Sequence, residues 1–345
     1  MASYDLTVRG AGIFGLSIAW AATQRGAKVR VIDPYGPATG SSGGIVGALA
    51  PHVPENWNPK KAFQLSSLLQ AQAFWSDVEA AGGGTSGYAR KGRLQPINDK
   101  AALALAQKRI GSAAMLWQGH AVWEVIPATG NDWEPASPSG YLIRDSLSAL
   151  VHPRQGCDAL VRALASRGVA IEAEAPDAGA VVWATGAAGL EVLNADHHRM
   201  IGTGVKGQAA LLAFDARALP QLFAGGVHII PHGDGTVAVG STSEREFDTT
   251  DQTDAKLDDV IAAARAAVPA LEQATVVERW AGVRPRSRSR APMLGAWPDR
   301  PQHFIANGGF KIGFGMAPKV ADVMADLVLE GRNTIPQGFR VEDNL

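Results

Sequence analysis

Gly10-Ala11-Gly12-Ile13-Phe14-Gly15 is the densest chemical signal in the chain, and Asp33 follows 18 residues after its last glycine. G-x-G-x-x-G between a strand and a helix suits a dinucleotide. Gly10 permits the tight turn, Gly12 lets backbone approach a pyrophosphate, and Gly15 lets helix pack on strand. The helix start at Ile13 and Phe14 adds unpaired N–H groups and the positive end of a dipole. A carboxylate such as Asp33, ending the second strand, accepts hydrogen bonds from ribose hydroxyls and repels a 2′-phosphate. A tight turn with no ligand is the plain alternative; the flanking strands, Gly26 and Asp33 favour the dinucleotide.

Other reactive side chains give weaker signals. Arg284, Arg286, Arg288 and Arg290 alternate, so an extended segment would place all four on one side and draw in negative charge, though a solvated basic loop is the simpler reading. Asp196-His197-His198 has metal-ligating residues, but adjacent histidines diverge and no third ligand is suitably spaced, so no metal site is expected. The single cysteine, Cys157, excludes an internal disulfide and falls on an apolar helical stripe, as a buried structural thiol does. No G-x-S-x-G elbow or P-loop occurs.

These residues need a frame. With 345 residues, 46% hydrophobic and 19% charged, the chain can bury one large core or two and is not intrinsically disordered. Its net charge of -1 gives no basic field for a nucleic-acid partner. The longest charge-free run, residues 34–54, holds four prolines and five glycines and reads as a loop, not a membrane span. A strand pattern begins at about Tyr4 with no apolar leader before it, so a cytoplasmic protein is expected.

Leu6–Val8, Leu16–Gln24 and Val29–Ile32 read as strand, helix and strand of a βαβ unit. Helices are expected over about 61–80, 99–109, 153–167, 253–267 and 316–330. Strands are expected at 169–171, 181–183, 276–283 and 303–306, and strand-like runs dominate 208–240. Between Tyr88 and Tyr141, around the helix at 99–109, the sequence reads as short strand-like runs and a Trp-rich irregular stretch. α/β blocks at start, middle and end, separated by β-rich blocks, point to two discontinuous domains.

The fingerprint alone does not choose between FAD and NAD, and further segments do. Ser41-Ser42-Gly43-Gly44 leading to Gly47-Ala48-Leu49-Ala50-Pro51, Val151-His152-Pro153, Val181-Val182-Trp183-Ala184-Thr185-Gly186, Val205-Lys206-Gly207-Gln208, Val239 to Glu244, Trp280-Ala281-Gly282-Val283-Arg284-Pro285 and Gly308 to Pro318 follow in order. In this series the chain resembles the D-amino-acid oxidase and glycine oxidase (DAO) family of FAD-dependent oxidoreductases. The resemblance implies an α/β fold in which a Rossmann-like FAD-binding domain (1–52, 145–204 and 291–345) holds noncovalent FAD. An interleaved mixed β-sheet substrate domain (53–144 and 205–290) would roof the flavin.

It also implies oxidation of the C–N bond of an amino acid or amine by hydride transfer to flavin, with dioxygen as acceptor. The alternatives are a dehydrogenase that feeds a quinone or carrier protein and a non-catalytic dinucleotide-binding subunit. Arg284 would pair with the substrate carboxylate, since a guanidinium fork fixes direction as well as position. Ser41, Ser42, Gly47, Ala48, Leu49, Thr185 and Gly186 would contact the cofactor. The turn Gly308, Gly309, Phe310, Lys311, Ile312 and Gly313 would face the flavin's pyrimidine edge. Relatives often carry His at Gly309 and Arg at Lys311; as a second contact for the substrate carboxylate Lys311 keeps the charge and loses the fork, with a solvated lysine as the plain alternative. His52, Trp57 and His228 are candidates to border the substrate pocket, with core or rim packing as the plain alternative. The nine residues between Ile171 and Val181 are fewer than relatives insert there.

Overall fold

Leu6, Thr7 and Val8 are wholly buried because the strand Leu6–Arg9 lies in the middle of a six-stranded sheet. Val29–Ile32 and Ala180–Trp183 pair with it in parallel on its two sides. The computed structural model describes residues 4–345. The sheet runs Met293–Ala296, His303–Asn307, Ala180–Trp183, Leu6–Arg9, Val29–Ile32 and Ile171–Glu172, and only the first of these is antiparallel to its neighbour. Such a sheet is covered on both faces, which is why its strands read as short apolar runs.

Helix α1 (Ile13–Gln24) follows the first strand and buries Ile13 to Ala19 without a polar face. A Cβ on Gly15 would sit 1.8 Å from the Gly10 carbonyl oxygen, so only glycine lets the helix lie this close to the turn. Helices α2 (Pro59–Gly82), α3 (Lys100–Trp117) and α4 (Pro153–Ser166) come next in the chain. They are followed by α5 (Gly186–Asp196), α6 (Ala255–Ala267) and α7 (Gly313–Glu330). α1 packs against α4 and α7, and α2 against the same two helices. Gly83 and Gly331, both in left-handed conformation, end α2 and α7.

An eight-stranded mixed sheet takes its strands from 93–145 and 202–287. Its order is Thr275–Ser287, Gly202–Ala213, Thr236–Gly240, Val227–Pro231, Gln221–Ala224, Arg93–Pro96, Tyr141–Asp145 and Trp123–Pro127. The two longest strands pair from Gly202↔Ser287 to Ala213↔Thr275. α6 packs on this sheet through Leu257, Val260, Ile261 and Ala264, which join Leu212, Val237 and Val239 in one apolar cluster. Ala48–Leu49 and Ala149–Leu150 form a two-stranded ribbon near the seam between the large sheets.

The local structure adds to or differs from the sequence expectations in three places. The Trp-rich stretch is ordered: α3 continues to Trp117, and Trp123 opens a strand, with both indole rings buried and packed edge to face. α5 directly follows the A-T-G strand; its run of small residues hides the helical period. Arg288 and Arg290 lie beyond the strand that carries Arg284 and Arg286, and Arg290 turns the chain at a positive φ of 60°. Arg9, odd for such a strand, pairs with Asp177 at 2.8 Å and lies 5.1 Å from the centre of the Trp183 ring.

His152, at the start of α4, and His232, just past the strand Val227–Pro231, are buried with ring centres 4.4 Å apart. A His232 ring nitrogen lies 2.9 Å from the Ile45 carbonyl oxygen and is its donor in a neutral ring. Burial, and then the neighbouring His152, push His232 down to about 4; burial lowers His152 as well, against the pull of Asp234. The unfolded chain titrates these rings near 6.5, so below that value it binds more protons than the folded chain. Stability is therefore complete above about pH 6.5 and falls as pH drops toward 4. Melting curves between pH 7.5 and 5 should show a falling midpoint, with a shallower fall in His232→Gln; parallel falls would show that this pair does not set the acid limit.

Candidate active site

A cavity of about 710 Å³ opens between the two large sheets. Gly10, Gly12, Ile13 and Phe14 form one end with Asp33, and Ser41, Ser42, Gly44 to Ala48, Thr185 and Gly186 form its sides. Arg284 and the turn Gly308, Gly309, Phe310, Lys311 and Gly313 lie on its wall. Segments distant in sequence thus reach one cavity, at the carboxyl ends of the parallel strands, where open α/β sheets bind ligands.

Of the remaining sequence candidates, Gly15 packs beneath the turn, Leu49 is in the core, and Ile312 precedes α7. None of these three lines the cavity. His52, Trp57 and His228 lie outside its lining too. The His52 ring meets Gln64 Oε1 at 2.5 Å, and Trp57 packs against the main core. Among the described residues no cluster of His, Cys, Asp or Glu is arranged to hold a metal ion.

The cavity fits a dinucleotide at the level of single atoms. No side chain of the preceding residue caps α1, so amides of its first turn open on the ligand end. Ser42 Oγ accepts the Ile13 N–H at 3.0 Å and ties the 41–48 loop to that turn. Asp33 accepts from the Ala11 and Tyr35 amides at 2.7 and 3.0 Å, which fixes the carboxylate beside the glycines with lone pairs to spare. Arg154 donates to the Gly43 carbonyl at 2.9 Å and grips Glu278 with both terminal nitrogens, bracing the loop against the other sheet.

Arg284 is 9% exposed and makes no ion pair among the described residues. It donates to Ser241 Oγ at 2.6 Å and to the Thr242 carbonyl at 3.2 Å, two partners for a fork of five N–H groups. Its guanidinium lies across Gly207, where a Cβ would meet it at about 2.0 Å. Burial draws its pKa down to about 10, with Glu244 opposing, so it stays charged at neutral pH. Lys311 is held below the ordinary lysine value by partial burial first and by Arg284 second. His228, pushed to about 4 by burial and then by Arg93, Lys311 and Arg284, is neutral; its Nδ1 is enclosed without a hydrogen-bond partner.

Four groups outside the candidate site residues also shape this site. Asn307 donates to the Gly186 carbonyl and accepts the Gly308 amide, joining the glycine turn to the A-T-G strand end. Ser241 and Thr242 orient Arg284, and Trp280 lines the cavity beside Gly44. Trp280 stands in the W-A-G-V-R-P segment and Ser241 and Thr242 in the Val239 to Glu244 segment, so a signal was present for these three; Asn307 carries none apart from its position at a strand end.

The site can hold an extended dinucleotide and present a buried, under-satisfied cation to a second ligand. Comparison with known proteins agrees on the dinucleotide. The family model described as FAD dependent oxidoreductase (DAO) matches residues 5–327. The bifunctional protein ThiO/ThiG of Nostoc sp. is 25% identical over 358 residues, 95% of this chain and 53% of that protein, so the chain spans about half of this relative's length. The glycine oxidase of Pseudomonas putida is 37% identical over 126 residues, 36% of this chain and 34% of that one. A crystal structure of glycine oxidase from Geobacillus kaustophilus superposes with a TM-score of 0.83 at 23% identity, covering 99% of both chains. The chain belongs to the DAO family of FAD-dependent oxidoreductases.

Proposed function

We propose that this flavoenzyme oxidises the C–N bond of an amino acid or related carboxylated amine, with dioxygen as the electron acceptor. The observation that carries the reading is Arg284: a buried guanidinium without a carboxylate partner, on the wall of the FAD cavity. A desolvated cation of this kind is costly unless a ligand supplies the opposite charge. The substrate carboxylate does so through the unused donors of the fork, and two parallel bonds set which way the Cα–H points. Lys311 adds a second, less directional positive charge on the same wall. FAD, when bound, accepts the two electrons of the reaction. No residue need act as general base, because a neutral amine expels the hydride itself, and the cations around Arg284 favour the neutral amine over its ammonium form.

The proposed division of labour follows the two sheets. Residues 1–52, 145–204 and 291–345 bind FAD; 53–144 and 205–290 cover the substrate. The strand Gly202–Ala213 starts in the first set and runs into the eight-stranded sheet, so the boundary there is a continuous strand. No helix among the described residues is long and apolar enough to cross a membrane, and a cytoplasmic location is part of this reading.

Arg284→Lys keeps the charge and loses the fork, and should lower kcat/KM for amino acids about tenfold; Arg284→Met should cost on the order of a hundredfold. Simple amines without a carboxylate should be far less affected. A merely structural arginine would depress both substrate types together. The function itself is tested by adding glycine, sarcosine, D- and L-amino acids and simple amines to the holoprotein without oxygen. Bleaching of the flavin by a carboxylated amine, with colour and hydrogen peroxide returning in air, is the expected result. A flavin that none of them reduces would overturn the reading, and one reduced by an amine but not reoxidised by air would overturn dioxygen as acceptor.

A further inference from the structure

The rim beside Arg284 carries more positive charge than one carboxylate uses. Arg286 and Lys311 flank a single ring, with Arg286 Cζ 5.8 Å and Lys311 Nζ 5.7 Å from the centre of Phe310. Phe310 is itself held to the strand by its amide, which donates to the Pro285 carbonyl at 2.9 Å. Lys60, from the first turn of α2, donates to the Arg290 carbonyl and brings a further cation to the turn after that strand. Arg245 lies near enough to Arg286 to repel it, as does Arg290.

None of Lys60, Arg245, Arg284, Arg286, Arg290 and Lys311 forms an ion pair among the described residues. Acidic residues are not scarce, since the chain has 33 against 32 basic ones. Some cations elsewhere are paired, such as Arg93 with Asp145, Arg109 with Glu55 and Arg154 with Glu278. Others, such as Lys206 and Arg265, form no ion pair among the described residues, so what marks this group is its position and not the lack of partners alone. Arg284 and Lys311 line the cavity together with Asp251, while Arg286 stands beside the lining ring of Phe310. Arg245, Arg290 and Lys60 lie around it, and the excess of cations makes a local field that attracts anions.

The strand sets the spacing. Arg284 and Arg286 are two residues apart, so their side chains leave the same face about 7 Å from each other. That separation is comparable to the distance between the two acidic groups of a short aminodicarboxylate. Arg284 is buried and Arg286 only partly so, which orders them from the inside of the site outward.

We propose that Arg286, with Lys311, binds a second anionic group of the substrate, so that this enzyme prefers acidic amines bearing two negative charges over monocarboxylic ones. The proposal rests on amine oxidation at this site and adds the substrate class and a specificity-determining residue. Arg286 touches no atom that reacts; it selects by charge, and its contribution belongs in KM.

Sarcosine and iminodiacetate test it, because both are secondary amines and they differ by one added carboxylate. In the wild-type holoenzyme kcat/KM for iminodiacetate should exceed that for sarcosine about tenfold or more, and the advantage should shrink as salt rises. Arg286→Gln should raise KM for iminodiacetate about fivefold, with kcat little changed and sarcosine much less affected. An equal loss for both substrates, or no wild-type preference for the dianion, would overturn the proposal. Binding of glutarate, which has the span of iminodiacetate without the amine, and of acetate, read from the flavin spectrum, separates this site from the chemistry: neither can be oxidised as an amine. If no amine reduces the flavin, the functional reading falls; tighter binding of glutarate that depends on Arg286 would still support the second anion site, and equal binding would remove it.

Discussion

Backbone has to pass within van der Waals distance of backbone at the floor of the cavity, and much of the architecture follows from that constraint. Gly15 allows α1 to press on the Gly10 carbonyl, which puts the first turn of the helix at the end of the central strand. Once α1 is placed there, Ser42 can reach the Ile13 amide and fasten the 41–48 loop. That loop then faces the other sheet, where Arg154 and Glu278 brace it, and a His232 ring nitrogen meets its Ile45 carbonyl. A side chain at Gly15 would push the helix out and unfasten these contacts in turn. The dinucleotide cradle and the seam between the sheets are therefore one piece of construction.

The second determinant is electrostatic. Folding places the Arg284 guanidinium in a nearly water-free wall and gives it only a hydroxyl and a carbonyl as partners. A carboxylate supplied by the protein would have satisfied it and silenced it. Glu244 is close enough to raise its pKa but is itself engaged by Lys256, Thr242 and Gln208. The unmet charge is available to a ligand, and a ligand carboxylate placed there is held against the cofactor cavity. The positive rim outside it extends the same logic to the approach path.

Much of this was legible in the sequence, and the reasons are physical. Gly10 to Gly15 with Asp33 declared the βαβ unit because each glycine answers a steric need that no other residue meets. α2, α4, α6 and α7 were visible through apolar periodicity and their glycine or proline ends. α5 was not, since Gly186-Ala187-Ala188-Gly189 has no apolar period and owes its helix to packing against the strands it borders. The Trp-rich stretch was misread because Trp117 and Trp123 pair across a turn that the local pattern does not encode. Within the site, Arg284 and the glycine turn were identified by family resemblance, while Asn307, Ser241 and Thr242 act through contacts between strand ends. The alternating arginines left an extended row and a solvated loop open, with the loop as the simpler reading; the strand takes Arg284 and Arg286, and Arg288 and Arg290 fall in the turn beyond it.

The account turns on one claim, that Arg284 holds a carboxylate against FAD in this cavity. Titrating the oxidised holoprotein with acetate, which binds as a carboxylate and cannot be dehydrogenated as an amine, measures that directly through the flavin absorption spectrum. The account predicts a saturable change in the wild-type protein and its loss in Arg284→Met with FAD still bound. A change of equal size and affinity in both proteins, or none in the wild type, would contradict it.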